Sequence, residues 1–168
     1  MGTPTIRKLA PDEAHTYRDL RLAALADSPG AFGATLAAEQ GRSDAEWAAR
    51  LAPSDGDLPL VAEVYGEPVG LAWGRVEQAE PDTAHVYQMW VAPEHRRSGA
   101  ARAMLDAIVD WAAARKLRRV ELFVAADNKP ATELYLGAGF KPLGPPGALC
   151  GGSEILAQTM EIVLDAEA

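Results

Sequence analysis

The residues from Val91 to Leu105 have the types and spacing of an anion-binding turn. An apolar run ends at Val91, Pro93 interrupts it, and a loop of small and basic residues leads directly into a long amphipathic stretch. Unpaired backbone N–H groups gather at such a strand-to-helix junction, at the positive end of the helix dipole. Gly99 and Ala101 keep the side chains short where a phosphate would approach the backbone. The loop has neither the Gly-Lys-Ser/Thr ending of a Walker loop nor the Gly-x-Gly-x-x-Gly pattern of dinucleotide folds.

A second segment, from Asn128 to Phe140, also contains residues that could take part in a reaction. It follows a short predicted strand and contains a helix that starts just after Asn128 and ends at Gly139. Tyr135 lies on this helix, so its hydroxyl could face a groove between two strands. The alternative is that Tyr135 is a core aromatic residue whose hydroxyl makes one hydrogen bond.

The elements that must position these two segments follow from hydrophobic periodicity. Ala84–Val91 is apolar or aromatic on both faces, which predicts a central strand, and Val120–Val124 is predicted to be short and buried. The run Gly144–Gly152 is too rich in Gly and Pro for a regular element. The order of elements predicts an α/β domain around a mixed sheet. The predicted strands are Thr5–Leu9, Leu60–Val64, Val69–Val76, Ala84–Val91, Val120–Val124 and Leu156–Leu164, and the predicted helices are Ala14–Ala26, Ser43–Leu51, Gly99–Ala114 and Pro130–Ala138.

Composition excludes several other classes of protein. A chain of 168 residues with 48% hydrophobic and 24% charged residues predicts one globular domain over residues 1–168. The net charge of −8 argues against nucleic-acid binding, and no apolar run approaches the roughly 20 residues of a membrane span. The N-terminus lacks a signal-peptide layout, and the single cysteine, Cys150, excludes an internal disulfide, so a cytoplasmic protein is expected. Three scattered histidines give no metal-ligand cluster, and no metal is expected.

Both chemical segments resemble motifs of one family. Arg96-x-x-Gly99-x-Ala101 resembles the pyrophosphate-binding Arg/Gln-x-x-Gly-x-Gly/Ala motif of the GCN5-related N-acetyltransferase (GNAT) family. The segment Asn128–Phe140 is similar to the family's Asn-x-x-Ala-x-x-x-Tyr-x-x-x-Gly-Phe signature. The resemblance implies a GNAT-like fold, in which a mixed, mostly antiparallel central sheet splays around the cofactor and about four helices flank it. It further implies direct transfer of an acetyl group from acetyl-CoA to a primary amine in a ternary complex.

Two other functions stay open at this point. One is a non-catalytic domain of the same fold that binds or senses acyl-CoA, and the other is a nucleotide- or phosphate-binding regulatory module.

The resemblance also implies a set of site residues. In the family the cofactor lies between the two splayed strands, the pantetheine arm pairs with the end of the first strand, and the loop amides hold the pyrophosphate. By resemblance, Asn128 contacts the pantetheine arm, Ala131 lets the cofactor pass, and Tyr135 is the general acid that protonates the departing thiolate. Arg97 is expected to point outward, toward the 3′-phosphate. The cofactor-binding set is Met89, Trp90, Val91, Arg96, Arg97, Ser98, Gly99, Ala100, Ala101, Arg102, Asn128, Ala131 and Tyr135.

The general base is assigned to His85 as a hypothesis. In several members of the family a Glu or His lies six residues before the position of Val91, and here that residue is His85. An imidazole titrates near neutral pH and can take a proton through a water molecule. The alternation of a strand places His85 on one face with Tyr87, Met89 and Val91 unless a bulge shifts the register. Other open possibilities are an exposed His85 without a catalytic role, a relayed or absent base, and a base at Glu77, Glu94 or Glu154.

The acceptor amine is left open between a small molecule and a peptide. Acidic residues dominate the first half of the chain and fit a cationic amine, although solvated helix caps explain them equally well. The acids concerned are Glu39, Asp44, Glu46, Asp55 and Asp57, and Phe32, Trp73 and Trp90 could wall an acceptor pocket. His95 is interpreted as a solvated neighbour of the loop and Cys150 as incidental. A homodimer through the last strand or the Gly144–Gly152 loop is a further open possibility.

Overall fold

The computed structural model describes residues 2–27, 35–148 and 156–164. Its helices are α1 (Ala14–Asp27), α2 (Leu36–Gln40), α3 (Asp44–Arg50), α4 (Ala100–Ala114) and α5 (Lys129–Gly137), with a 3-10 turn at Pro93–His95. Its strands are β1 (Thr5–Lys8), β2 (Asp57–Val64), β3 (Glu67–Val76), β4 (Thr83–Val91), β5 (Arg119–Ala125), β6 (Lys141–Pro142), β7 (Gly147–Ala148) and β8 (Leu156–Val163).

These strands form one sheet in the order β1-β2-β3-β4-β5-β8-β6, with β7 also paired to β8. Neighbouring strands are antiparallel except for β4 and β5, which run parallel. The connection between these two parallel strands contains α4, as a parallel crossover requires. The prediction of a mixed, mostly antiparallel sheet with β4 at its centre is confirmed.

Two apolar clusters cover the two faces of the sheet. Successive residues of β2 alternate between the clusters: Leu60 and Ala62 belong to the first, and Val61 belongs to the second. The first cluster contains the buried residues of α4, so we call this side of the sheet the α4 face. The second cluster contains Tyr17 of α1 and Trp47 of α3, whose rings meet edge to face at 5.4 Å, and we call this side the α1 face.

Local capping explains where two of the helices begin. The Ser43 hydroxyl accepts a hydrogen bond from the Glu46 N–H at 3.2 Å, and the Glu46 side chain accepts from the Ser43 N–H, which together form a capping box. The Asn128 side chain caps α5 by accepting from the Ala131 N–H at 3.2 Å, with Pro130 in the first turn. At 15 residues, α4 is the longest of the described helices, and none of them is both long and apolar enough to cross a bilayer.

The structure departs from the predicted elements in several places. Helix α2 was not predicted, because five residues are too few to show a helical period; Thr35 caps it. Strand β7 lies inside the Gly144–Gly152 segment, where a backbone ladder to β8 forms without any side-chain pattern. Strand β5 is buried on one side only, since Phe123 is 51% exposed between the buried Leu122 and Val124.

Gly74 of β3 lets α4 approach the sheet closely. A Cβ atom at this position would lie 3.2 Å from Ile108 Cγ2 and 3.3 Å from Trp111 Cζ3. We therefore expect Gly74→Ala to reduce the free energy of unfolding by about 1–3 kcal/mol through overpacking. For a chain of this length, the melting temperature should fall by about 2–10 °C. The matched control is Gly137→Ala, which places its Cβ in open space near the end of α5, and equal melting temperatures for the two variants would contradict the prediction.

Candidate active site between two splayed strands

The parallel pairing of β4 and β5 stops halfway along both strands. The last paired residues are Val86 and Leu122. Beyond this point, among the described strands, β4 continues to Val91 paired with β3 alone, and β5 continues to Ala125 paired with β8 alone. The backbone edges of the two strands therefore face each other across an unpaired gap, which is the splay that the family resemblance implies.

A β-bulge at Gln88 separates the two halves of β4. Gln88 has a left-handed backbone with φ of 59°, and the four residues Tyr87 to Trp90 of β4 lie opposite the three residues Leu71 to Trp73 of β3. The Tyr17 hydroxyl donates a hydrogen bond to Gln88 Oε1 at 2.9 Å. This hydrogen bond thus links Tyr17 of α1 to the part of β4 that borders the gap.

Because of the bulge, the expectation that His85 lies on the same face of β4 as Met89 and Val91 is wrong. Before it, Val86 packs on the α4 face while His85 stacks on Tyr87 with ring centroids 5.9 Å apart. After it, Met89 and Val91 pack on the α4 face. His85 and Tyr87 therefore do not share a face with Met89 and Val91, because the extra residue reverses the alternation. Trp90 is buried in the cluster of the α1 face.

The loop before α4 presents backbone N–H groups as predicted. Arg97 and Gly99 both have left-handed backbones, with φ of 64° and 90°. The first backbone hydrogen bond into α4 runs from the Ala103 N–H to the Gly99 carbonyl at 2.9 Å, so the N–H groups of Ala101 and Arg102 lie in the unsatisfied first turn. The N–H of Ala100 contacts Ser98 Oγ at 3.4 Å. This turn can hold an anion.

The three arginines of this loop take different roles. Arg96 Nε donates to the Val91 carbonyl at 3.0 Å, and its Nη2 is paired with Asp27 at the end of α1. Arg102 bridges Asp106 at 2.9 Å and the carbonyl of Gly137 at 3.3 Å, which joins α4 to α5. Arg97 is exposed, as expected, and forms no ion pair with the described residues. The loop backbone and Arg97 are thus available to a ligand, whereas Arg96 and Arg102 also hold the framework.

The start of α5 borders the far side of the gap. Asn128 directly follows β5 and uses its Oδ1 to cap the helix, which leaves the side-chain NH₂ as a donor. Ala131 is partly buried against the cluster of the α4 face. Both residues thus lie in the turn that leads from the end of β5 into α5.

Tyr135 of α5 is 6% exposed and belongs to the core cluster of the α4 face. Its ring lies 6.2 Å from that of Phe140. Burial raises the pKa of the Tyr135 phenol to about 12, so the group remains protonated at neutral pH. It has the protonation state that a proton donor needs.

His85 of β4 is 5% exposed and faces two carboxylates. Its Nε2 lies 3.4 Å from Glu121 Oε2 and 3.8 Å from Glu80 Oε1. Its Nδ1 is buried and has no hydrogen-bond partner among the described residues. Glu121 lies directly across from His85 in the parallel ladder. The open alternative of an exposed His85 is therefore wrong, because the side chain is buried.

The rival bases lie in other surroundings. Glu77 accepts a hydrogen bond from the Tyr87 hydroxyl at 3.0 Å, and burial together with this contact raises the pKa of Tyr87 to about 12. Glu94 is exposed on the 3-10 turn, next to a half-buried His95. Glu154 lies outside the described residues, as do Phe32 and Cys150.

Most of the acids that were candidates for the acceptor side have partners of their own. Glu39 is buried and paired with Arg50 at 2.8 Å, and Asp57 accepts from Trp73 Nε1 at 2.8 Å. Asp44 and Glu46 lie in the first turn of α3, whereas Asp55 is exposed. Trp73 and Trp90 are core residues. A cavity of about 250 Å³ opens beside Arg50 and Asp57, but no residue of the gap or the loop lines it.

Three features of this region had no signal in the sequence. Glu121 and Glu80 meet His85 only through the parallel pairing and the β3–β4 connection. Asp27 joins Arg96 and Trp90 Nε1, the latter at 3.0 Å, across more than sixty residues of chain. A strand that alternates in polarity, from Arg119 to Phe123, was the one local hint that β5 has a functional face.

The chain is similar in sequence to known acetyltransferases. A model of the acetyltransferase (GNAT) family matches residues 19–140. A mycothiol acetyltransferase of Clavibacter michiganensis subsp. michiganensis is 39% identical over 84 residues, which are 50% of this chain and 26% of that protein. The chain spans less than half the length of the curated relatives that it matches first, with shares of 26%, 40% and 42%.

Solved structures share the fold over almost the whole chain. An acetyltransferase of the GNAT family from Streptococcus pneumoniae superposes with a TM-score of 0.78 at 21% identity, covering 96% of this chain and 99% of that one. The spermidine N-acetyltransferase from Vibrio cholerae, in complex with CoA and spermine, has a TM-score of 0.75 at 20% identity, with 96% and 95% covered.

Proposed function

This chain belongs to the acetyltransferase (GNAT) family, and on that premise we propose that it is an N-acetyltransferase that moves an acetyl group from acetyl-CoA to a primary amine by direct transfer in a ternary complex. The observation that carries the proposal is the unpaired gap between β4 and β5, which leads into the anion-binding turn before α4. An elongated ligand with a phosphate at one end and an amide-containing arm at the other suits this combination. The small residues at Gly99 and Ala101 support a close approach of phosphate to backbone.

In this proposal the open edge of β4 holds the pantetheine arm of the co-substrate. The backbone of Met89 to Val91 would pair with the amides of the arm as an additional strand, and the Asn128 NH₂ would reach it from the other side. The pyrophosphate would lie against the N–H groups of Ser98 to Arg102, with Arg97 free to meet the 3′-phosphate. The backbone donors of β4 and of the loop are fixed by the fold, so they need little reorganisation on binding.

His85 is proposed to accept the proton of the acceptor ammonium. It lies three residues before Gln88 on β4, about 10 Å along the strand at 3.3 Å per residue. The proton would therefore travel through bound water. Glu121 Oε2 and Glu80 Oε1 lie 3.4 Å and 3.8 Å from His85 Nε2, the nitrogen that would take the proton.

The chemical step is proposed to occur in the gap itself. The neutral amine attacks the thioester carbonyl, and a backbone N–H near Met89 stabilises the oxyanion. The C–S bond then breaks, and the nitrogen loses its surplus proton to water, from which the Tyr135 phenolate is reprotonated after the transfer. Tyr135 donates its phenolic proton to the sulfur as negative charge develops there. Its raised pKa keeps that proton in place until the thiolate forms.

The acceptor is proposed to be a cationic amine, either a small molecule or a peptide. The α1 face beside His85 carries the carboxylates of Glu77, Glu80 and Glu121, and Phe123 offers an apolar contact that is 51% exposed. One relative is named for mycothiol and one structural neighbour for spermidine. Since these acceptors differ, the family alone does not choose between them.

The reaction is tested first by acetyl-CoA-dependent thiol release against polyamines, aminoglycosides, amino acids and peptides. We expect turnover with at least one cationic amine and intersecting initial-rate lines, because both substrates are bound before transfer. Parallel lines would contradict a ternary complex. Acetyl-CoA that raises the melting temperature without any turnover would favour the sensing domain instead.

Tyr135→Phe removes the proposed proton donor while preserving the ring. We expect kcat to fall about 10²- to 10⁴-fold, because general acid catalysis typically contributes that much. The dissociation constant of acetyl-CoA, measured by calorimetry, should change little. The control is Tyr65→Phe, since Tyr65 is 88% exposed in the β2–β3 turn. Equal turnover of Tyr135→Phe and the control would refute the acid assignment.

His85→Gln removes the proposed base. Comparing it with variants of the rival carboxylates shows which residue accepts the proton. We expect kcat/KM for the amine to fall about 10²-fold at neutral pH. The deficit should shrink as the pH rises toward the pKa of the amine, because more acceptor is already neutral. Glu94→Gln and Glu77→Gln, assayed alongside, should lose far less. A larger loss in either of them would transfer the role to that carboxylate.

A further inference from the structure

A cluster of three metal-ligating side chains lies on the α1 face of the sheet. It consists of Glu80, His85 and Glu121, and one donor atom from each lies within 4.8 Å of the others. His85 supplies Nε2, and the two carboxylates each direct one oxygen toward it. Imidazole nitrogen with carboxylate oxygen is a donor set that suits zinc and related divalent ions.

The spacing of these atoms distinguishes between possible occupants. A tetrahedral zinc ion with bonds of 2.0–2.2 Å holds its ligand atoms about 3.4 Å apart. An ammonium group with hydrogen bonds near 2.8 Å would hold its acceptors about 4.6 Å apart. The observed distances from His85 Nε2 are 3.4 Å to Glu121 Oε2 and 3.8 Å to Glu80 Oε1. They therefore match a metal ion better than a bound ammonium.

The burial of His85 is a second, independent observation. The residue is 5% exposed, and its Nδ1 has no hydrogen-bond partner in the described part of the chain. Its Nε2 is the nitrogen that points into the cluster, at distances from both oxygens that exceed an ordinary N–H···O bond. A cation in the cluster would bind Nε2, the nitrogen that faces both carboxylates, and the ring proton would then lie on Nδ1.

The neighbouring charges leave the site open to a cation. Arg119 Nε lies 3.2 Å from Glu121 Oε1, the oxygen that faces away from His85, and it also donates to Thr83 Oγ1 at 3.1 Å. Arg119 thus fixes the orientation of the Glu121 carboxylate while Oε2 remains directed at His85. Residues that bond to a metal-ligating side chain in this way typically orient that side chain toward the ion. The Glu80 side chain is 46% exposed and gives the ion a route from solvent.

We propose that Glu80, His85 and Glu121 bind one divalent transition-metal ion, with zinc as the preferred occupant and water completing its coordination. A metal at Nε2 occupies the lone pair that would accept the acceptor's proton. Binding therefore inhibits acetyl transfer, a consequence that rests on the proposed function. The metal site itself does not depend on that function.

Calorimetric titration of the apoprotein with zinc chloride tests the site, and all proteins carry Cys150→Ser so that the thiol does not compete for the ion. We expect one site, together with the intense visible absorption of four-coordinate cobalt when cobalt replaces zinc. Glu80→Gln and His85→Gln should each weaken zinc binding at least about 10- to 100-fold. Glu67→Gln, an exposed carboxylate at the start of β3, should bind as the parent does. Unchanged affinity in Glu80→Gln, or no saturable binding in the parent, would overturn the proposal.

Inhibition is measured separately from binding. If the site and the base are both correctly assigned, zinc should inhibit thiol release with the same midpoint as the calorimetric isotherm, and a chelator should restore activity. Zinc that binds at the cluster without inhibiting would refute the regulatory consequence and the role of His85 as base, while the metal site would stand. An active enzyme that does not bind zinc would refute the metal site and leave the proposed function intact.

Discussion

The candidate site depends on one interruption of backbone pairing, the point where β4 and β5 separate. A left-handed backbone at a residue other than glycine costs of order 1–2 kcal/mol, and Gln88 adopts it with φ of 59°. The Tyr17–Gln88 hydrogen bond and the apolar cluster of the α1 face hold this conformation in place. Because the strands diverge just before the bulge, the sheet has two unpaired strand edges in its centre, in addition to those at its border.

The same bulge determines which side chains reach each face. It reverses the alternation of β4, so His85 and Tyr87 lie on the α1 face while Met89 and Val91 lie on the α4 face. Tyr135 belongs to the α4 face as well. The proposed base and acid therefore lie on opposite sides of the sheet. In the proposed reaction the amine would approach the gap from the α1 face, and the sulfur would take its proton on the α4 face.

Sequence alone predicted the parts of the site that are local in the chain. The loop before α4 and the helix that starts just after Asn128 and carries Tyr135 each depend on residues close together in the chain, and the structure forms both elements as predicted. The bulge had no such signal, because Gln88 is not a residue type that favours a left-handed backbone. The carboxylates beside His85 and the Asp27–Arg96 pair depend on strand order and on contacts between distant segments, which a single sequence does not encode locally.

Arg96 illustrates how a motif position can serve two purposes. Its backbone belongs to the anion-binding turn, while its guanidinium joins the Val91 carbonyl and Asp27, which also accepts from the Trp90 indole. The Arg96 and Asp27 side chains are 48% and 27% exposed, so their pair contributes little to stability. Its effect is positional: it ties the end of α1, on the α1 face, to the turn that would hold the phosphates. In a chain of net charge −8, an anionic ligand must then be held chiefly by backbone N–H groups, which carry their partial charge whatever the surrounding side chains do.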